Sequence, residues 1–103
     1  MSNPIAELVT FRLIPGTERA TFLAAAAKTE AFVANAGGFL TRTLSEADDG
    51  TWTDHVLWTD MAAAKSAGEA FMGSPDTQDL MALIDPASVS MSHQATGLVM
   101  RSA

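Results

Sequence analysis

Apolar and polar positions alternate from residue 4 to residue 13, with Ile5, Glu7, Val9, Phe11 and Leu13 on one side and Ala6, Leu8, Thr10 and Arg12 on the other. That period of two predicts a strand half covered by a core. Pro15-Gly16 ends it, and Thr17 followed by Glu18 is a helix start: a capping hydroxyl, then an acid at the positive end of the helix dipole. Phe22, Leu23, Ala26, Thr29, Val33 and Ala36 recur at helical spacing, which predicts one continuous helix up to the left-handed stop of Gly37-Gly38. Phe39 to Ala47 reads as a second strand, Asp48-Asp49-Gly50 as a hairpin turn, and Thr51 to Thr59 as a third strand. In the third strand Trp52, Asp54, Val56 and Trp58 share a face, opposite Thr53, His55 and Leu57.

Asp60 is a helix cap, followed by Met61, Ala64, Gly68, Phe71 and Met72 at helical spacing until Gly73. Ser74-Pro75-Asp76 restarts a short helix through Leu80, Met81, Leu83 and Ile84, closed by Asp85-Pro86. Val89, Met91, His93 and Ala95 then alternate with Ser88, Ser90, Ser92 and Gln94 as a fourth strand. The order β-α-β-β-α-β predicts an α+β, ferredoxin-like sandwich in one domain spanning residues 1–103: a four-stranded antiparallel sheet with its helices on one face. Leu8, Thr10, Arg12, Thr53, His55, Leu57, Ser90, Ser92 and Gln94 then form the bare face, with Arg42 expected there as well. Leucines open to water over such a patch predict a homodimer built sheet to sheet.

Composition agrees with a shared core. Of the 48% hydrophobic residues, 19 are Ala, leaving 30 larger apolar side chains. The net charge of −6 repels phosphate, which argues against nucleic acid and against an anionic membrane as partners. No basic leader or spanning segment is expected, and the absence of Cys suits a reducing cytoplasm while removing thiol chemistry and thiolate metal sites. Two His 38 residues apart, His55 and His93, form no recognisable metal-ligand pattern.

Leu13-Ile14-Pro15-Gly16-Thr17-Glu18, Ala36-Gly37-Gly38-Phe39-Leu40 and Val56-Leu57-Trp58-Thr59-Asp60-Met61-Ala62-Ala63 resemble the antibiotic-biosynthesis-monooxygenase-like branch of the dimeric α/β barrel superfamily. The resemblance covers about residues 4 to 97. It implies a dimer with a ligand cavity between sheet and helices in each subunit, and oxygenation of polycyclic phenols or quinones without metal or flavin in some members. The Asn, Trp and Tyr that such oxygenases place near substrate do not transfer, because this chain has no Tyr and its Asn residues are Asn3 and Asn35. Nor does the helix-borne His of the haem-degrading branch, since both His fall on strands.

The residues themselves suggest a different constellation. Glu7 and His93 each interrupt an apolar row, and the ferredoxin-like strand order makes their strands neighbours. Glu7, His93 and Asp54 are therefore expected to converge beneath the helices, with His93 as a general base oriented by Glu7. The plainer alternative is a satisfied pair, or groups in water at strand ends. Trp58 is expected under the second helix as core or as a wall of a ligand cavity, and Phe71, Met72 and Met81 flank the Gly73 break as core or as an adaptable pocket wall. Two functions follow. One is a cofactor-independent oxygenase acting on an apolar or aromatic small molecule. The other is a non-catalytic dimeric ligand-binding or stress-associated module.

Overall fold

The computed structural model describes residues 3–102. Its strands are β1 (Ile5–Phe11), β2 (Phe39–Glu46), β3 (Trp52–Trp58) and β4 (Ser90–Ala95). Its helices are α1 (Arg19–Ala27), α2 (Glu30–Asn35), α3 (Met61–Gly73) and α4 (Gln78–Ala82). The four strands form one antiparallel sheet in the order β2-β3-β1-β4, so the first and last strands of the chain lie side by side. This is the ferredoxin-like sandwich that the alternation predicts.

Most of the predicted punctuation recurs in atomic detail. Asp60 Oδ1 accepts from the Ala63 N–H at 2.8 Å and starts α3. Ser74 Oγ accepts from the Asp76 N–H at 3.2 Å, with Pro75 opening a single 3-10 turn that leads into α4. Gly50 takes the left-handed conformation in the hairpin, φ 87°, where the Thr51 N–H and hydroxyl hold the Asp49 carboxyl below its usual range. Gly38 is left-handed as well, φ 86°, and a Cβ there would sit 2.6 Å from both Ala63 Cβ and Thr59 Oγ1. No side chain fits where β2 departs beneath the start of α3.

Two expectations about local structure are corrected. The first helix is not continuous: it breaks between Ala27 and Glu30. Thr29 is fully buried there, and its hydroxyl donates back to the Ala26 carbonyl at 2.7 Å, competing with the helical ladder. The second correction concerns β2. Phe39 stands opposite Trp58 while Thr41 stands opposite Leu57, so Leu40 is an extra residue in a bulge. Past that bulge the alternation is inverted relative to Phe39. Arg42, Leu44 and Glu46 therefore join Phe39 on the helix side, not on the open face where Arg42 was expected.

The core between sheet and helices has two adjoining parts. Ile5, Val33, Val56, Trp58, Ala64 and Ala67 pack at one end of the sheet. Phe11, Phe22, Ala25, Ala26, Trp52 and Leu80 pack at the other, with Phe22 tilted onto Trp52 at 4.8 Å between ring centres. Alanine on the inner faces of α1 and α3 brings the helices close to the strands.

The opposite sheet face differs from the expected patch of exposed leucines. Leu57 is buried, at 8% exposure, and Leu8 is half-buried within the single chain. Arg12 lies just past the end of β1 at the rim of that face, where its guanidinium donates to the Asp49 carbonyl at 2.7 Å and to Thr51 Oγ1 at 3.1 Å. What marks the face is charge. By register it carries Ala6, Leu8, Thr10, Thr41, Thr43, Ser45, Thr53, His55, Leu57, Ser90, Ser92 and Gln94, with no Asp, Glu, Lys or Arg among them. Among the described residues, no helix is long and apolar enough to cross a membrane.

Candidate active site

Antiparallel partners point their side chains to the same side of a sheet, so the register itself builds the floor of the site. Arg42, Val56, Glu7 and His93 lie in one row across all four strands, and Leu44, Asp54, Val9 and Met91 lie in the next. Both rows face the helices. Sequence alternation alone places Glu7, Asp54 and His93 on this side. Arg42 reaches it only because of the bulge at Leu40.

These four ionisable groups form two separate pairs. His93 Nε2 and Glu7 Oε2 are 2.8 Å apart, with side-chain exposures of 24% and 12%. Glu7 Oε1 has no partner among the described residues. Asp54 does not join this pair as expected. Its carboxylate accepts two parallel bonds from Arg42, Nε to Oδ1 at 3.0 Å and Nη2 to Oδ2 at 2.8 Å. Arg42 Nη1 donates to Thr29 Oγ1 at 2.7 Å, which ties the floor of the sheet to the break between α1 and α2. A forked guanidinium matches a carboxylate in this geometry in a way that a lysine does not.

Above these pairs lies a cavity of about 330 Å³. Glu7, Asp54 and Arg42 are the charged residues of its lining, and Trp58, Phe71, Met72 and Met81 also line it. His93 is not part of the lining; it stands behind Glu7 on the edge strand. Phe22, Phe32, Leu44, Leu80 and Ile84 complete much of the apolar wall. Met72, Val89 and Met91 line the cavity and are also exposed, at 63%, 45% and 55%, so its mouth opens between the end of α3 and β4. Trp58 buries its indole Nε1 without a hydrogen-bond partner, the one such buried side-chain atom among the described residues. Also among the described residues, no three His, Asp or Glu side chains come together as a metal-holding group.

The sequence reading missed Arg42 and Thr29. The bulge has no mark of its own in Phe39-Leu40-Thr41, and a threonine in an alanine-rich helix reads equally well as one more stripe residue. A buried alternative for Thr29 becomes visible only once Arg42 is known to approach it.

This architecture recurs in known structures. A variant of SnoaB, a cofactor-independent oxygenase from Streptomyces nogalater, superposes with a TM-score of 0.76 at 22% identity, covering 98% of this chain and 100% of that one. The chain has the fold of SnoaB. A candidate antibiotic biosynthesis monooxygenase from Bordetella bronchiseptica matches with a TM-score of 0.72 and 20% identity, covering 93% of this chain and 99% of that one. A Nitrosomonas europaea protein of unknown function matches as well, with a TM-score of 0.73, 14% identity, and 99% and 97% of the two chains covered. No protein-family model matches the sequence, and no curated protein matches it. At these identities the likeness to SnoaB is one of fold alone.

Proposed function

We propose that the chain is a cofactor-independent oxygenase that binds an apolar, aromatic small molecule in the cavity and removes a proton from it with Glu7. The observation that carries this reading is an apolar cavity of about 330 Å³ floored by a carboxylate one of whose oxygens, Glu7 Oε1, has no partner among the described residues. The fold shared with SnoaB supports it.

Glu7 is the base because it lines the cavity, and His93 acts through it. The imidazole holds Oε2, keeps Oε1 turned to the ligand, and connects the carboxylate to solvent at the sheet edge. That reverses the roles expected from the sequence. For a ligand with a methylene beside a carbonyl, Glu7 takes one C–H proton and the carbanion passes electrons to O2. The C–O bond forms and the peroxide oxygen regains the proton. Loss of the second C–H proton breaks the O–O bond, giving a second carbonyl and water. The balance is CH2 + O2 → C=O + H2O, with O2 as the four-electron oxidant. Apolar walls keep the carbanion away from bulk water, so O2 meets it before a solvent proton does.

2-Tetralone, a fused-ring ketone with an acidic methylene, is a direct probe. Oxygen uptake above the buffer rate, matched one to one by dione, is the expected result. Binding of 2-tetralone with no uptake would instead favour a non-catalytic binding module. The observation favouring that second reading is that His93, Arg42 and Asp54 already satisfy one another or Glu7 within the chain.

The proposal includes a homodimer through the sheet face opposite the helices. A broad sheet face whose paired strand positions carry no formal charge, on a chain of net charge −6, is suited to burial against a copy of itself. Sedimentation at micromolar concentration is expected to give twice the mass of a single 103-residue chain. A monomer mass would remove this part of the proposal.

A further inference from the structure

The Arg42–Asp54 pair is not used by proton abstraction at Glu7, although both residues line the same cavity. Its side chains are only 13% and 16% exposed. Burying an ion pair is weak support for stability, since the cost of taking both charges out of water offsets most of their attraction. A ligand-directed role explains its position better. Guanidinium has five N–H donors, and three are engaged: two by Asp54 and one by Thr29. Two N–H donors remain without a partner among the described residues, on a group fixed from two sides.

We infer that Arg42 is a specificity-determining residue that donates these hydrogen bonds to an uncharged oxygen of the ligand, a carbonyl above all, on the β2 side of the cavity, across Val56 from Glu7. The inference rests on the cavity being the ligand site. Arg42 and Glu7 flank Val56 in one row, two strand spacings apart, so their backbones are separated by about 10 Å. Asp54 draws the guanidinium over β3 into the next row, whereas His93 draws the Glu7 carboxylate towards the edge strand β4, so the two polar groups occupy different parts of the floor. A ligand placed between them meets a base at one end and a donor pair at the other. The charge of the site selects the oxygen. Glu7 and Asp54 bring two negative charges against the single positive charge of Arg42, so a carboxylate ligand is repelled where a neutral carbonyl is accepted. Arg42 is thus a positioning residue that sets which end of an unsymmetrical ligand faces the base.

The test is titration calorimetry with three probes of one shape: 9-fluorenone, fluorene, and fluorene-9-carboxylate. The wild-type chain is expected to bind fluorenone about tenfold or more tightly than fluorene, with the carboxylate weakest. Arg42→Met is expected to abolish the preference for fluorenone while leaving fluorene binding within about twofold. Because Arg42→Met leaves Asp54 unpaired, the double variant with Asp54→Leu removes both charges together, and its fluorenone-to-fluorene ratio is expected to fall to about one. A ratio unchanged in the double variant would overturn the inference for Arg42 and leave the cavity reading intact. Failure of all three probes to bind the wild-type chain would overturn both.

Discussion

Glu7→Gln is expected to slow proton removal from bound 2-tetralone by about 10²–10⁴-fold, the usual worth of a positioned general base. The measurement is anaerobic exchange of the ketone's methylene hydrogens with deuterium, followed by NMR, so the oxygen step does not enter. The substitution keeps the side-chain shape and replaces one carboxylate oxygen with an amide nitrogen. Ligand affinity is therefore expected to stay within a few-fold, which separates loss of the base from loss of the cavity. His93→Ala is expected to have a smaller effect on the same rate, because it removes the partner that orients the base and leaves the base itself. Full exchange activity in Glu7→Gln would reject the assignment of the base whatever His93→Ala does. Oxygen uptake is expected to fall in parallel, since the carbanion must form before O2 can take its electrons.

The largest expected effect on stability belongs to Phe22→Ala. Phe22 is completely buried, edge-on to Phe11 at 5.7 Å between ring centres and tilted onto Trp52. Removing a buried phenylalanine ring costs about 3–5 kcal/mol in transfer and cavity terms. A domain of this size has about 5–15 kcal/mol in total, so thermal unfolding should move down by more than about 10 °C. Leu23 is the next residue on α1 but lies on its outer face, 39% exposed. Leu23→Ala is expected to change stability by less than about 1 kcal/mol. Similar losses for the two neighbours would contradict the placement of α1 on the sheet. Phe22 also lines the cavity, so its loss would enlarge the pocket and weaken ligand binding in whatever fraction remains folded.

The two kinds of prediction draw on different features of the chain. Position 7 and position 93 are polar breaks in apolar rows, and a period of two assigns each a face without any structural input. Strand order then brings β1 and β4 together, and the register sets Glu7 directly opposite His93, one row along from Val9 and its partner Asp54. That much follows from alternation and from the right-handed crossover of βαβ units. Arg42 follows from neither. A single extra residue at Leu40 inverts the remainder of β2, and nothing in the local composition marks it. The bulge is a tertiary compromise: it lets Phe39 pack on Trp58 at 6.1 Å between ring centres while Arg42 still reaches Asp54.

The break at Thr29 has the same origin. An alanine-rich helix favours continuity, and a lone threonine disturbs it little unless its hydroxyl is needed elsewhere. Here that hydroxyl accepts from Arg42 while donating to Ala26, so the two unforeseen features support one another across the cavity. The burial of Leu57 was also hidden, because alternation assigns a side chain to a face without saying how far its own strand neighbours shield it. The placement of Arg42 thus depends on two local departures from regular structure, whereas Glu7 and His93 belong to the regular frame that holds them.

Occupation of the space above Glu7 by an apolar aromatic ligand is tested most directly by the methionine methyl groups. Met72, Met81 and Met91 line the cavity, whereas Met61 and Met100 do not. In a protein with isotope-labelled methionine methyls, adding 2-tetralone is predicted to shift the NMR signals of Met72, Met81 and Met91 through aromatic ring currents and to leave Met61 and Met100 in place. Shifts confined to Met61 or Met100, with the three cavity signals unmoved at saturating ligand, would contradict it.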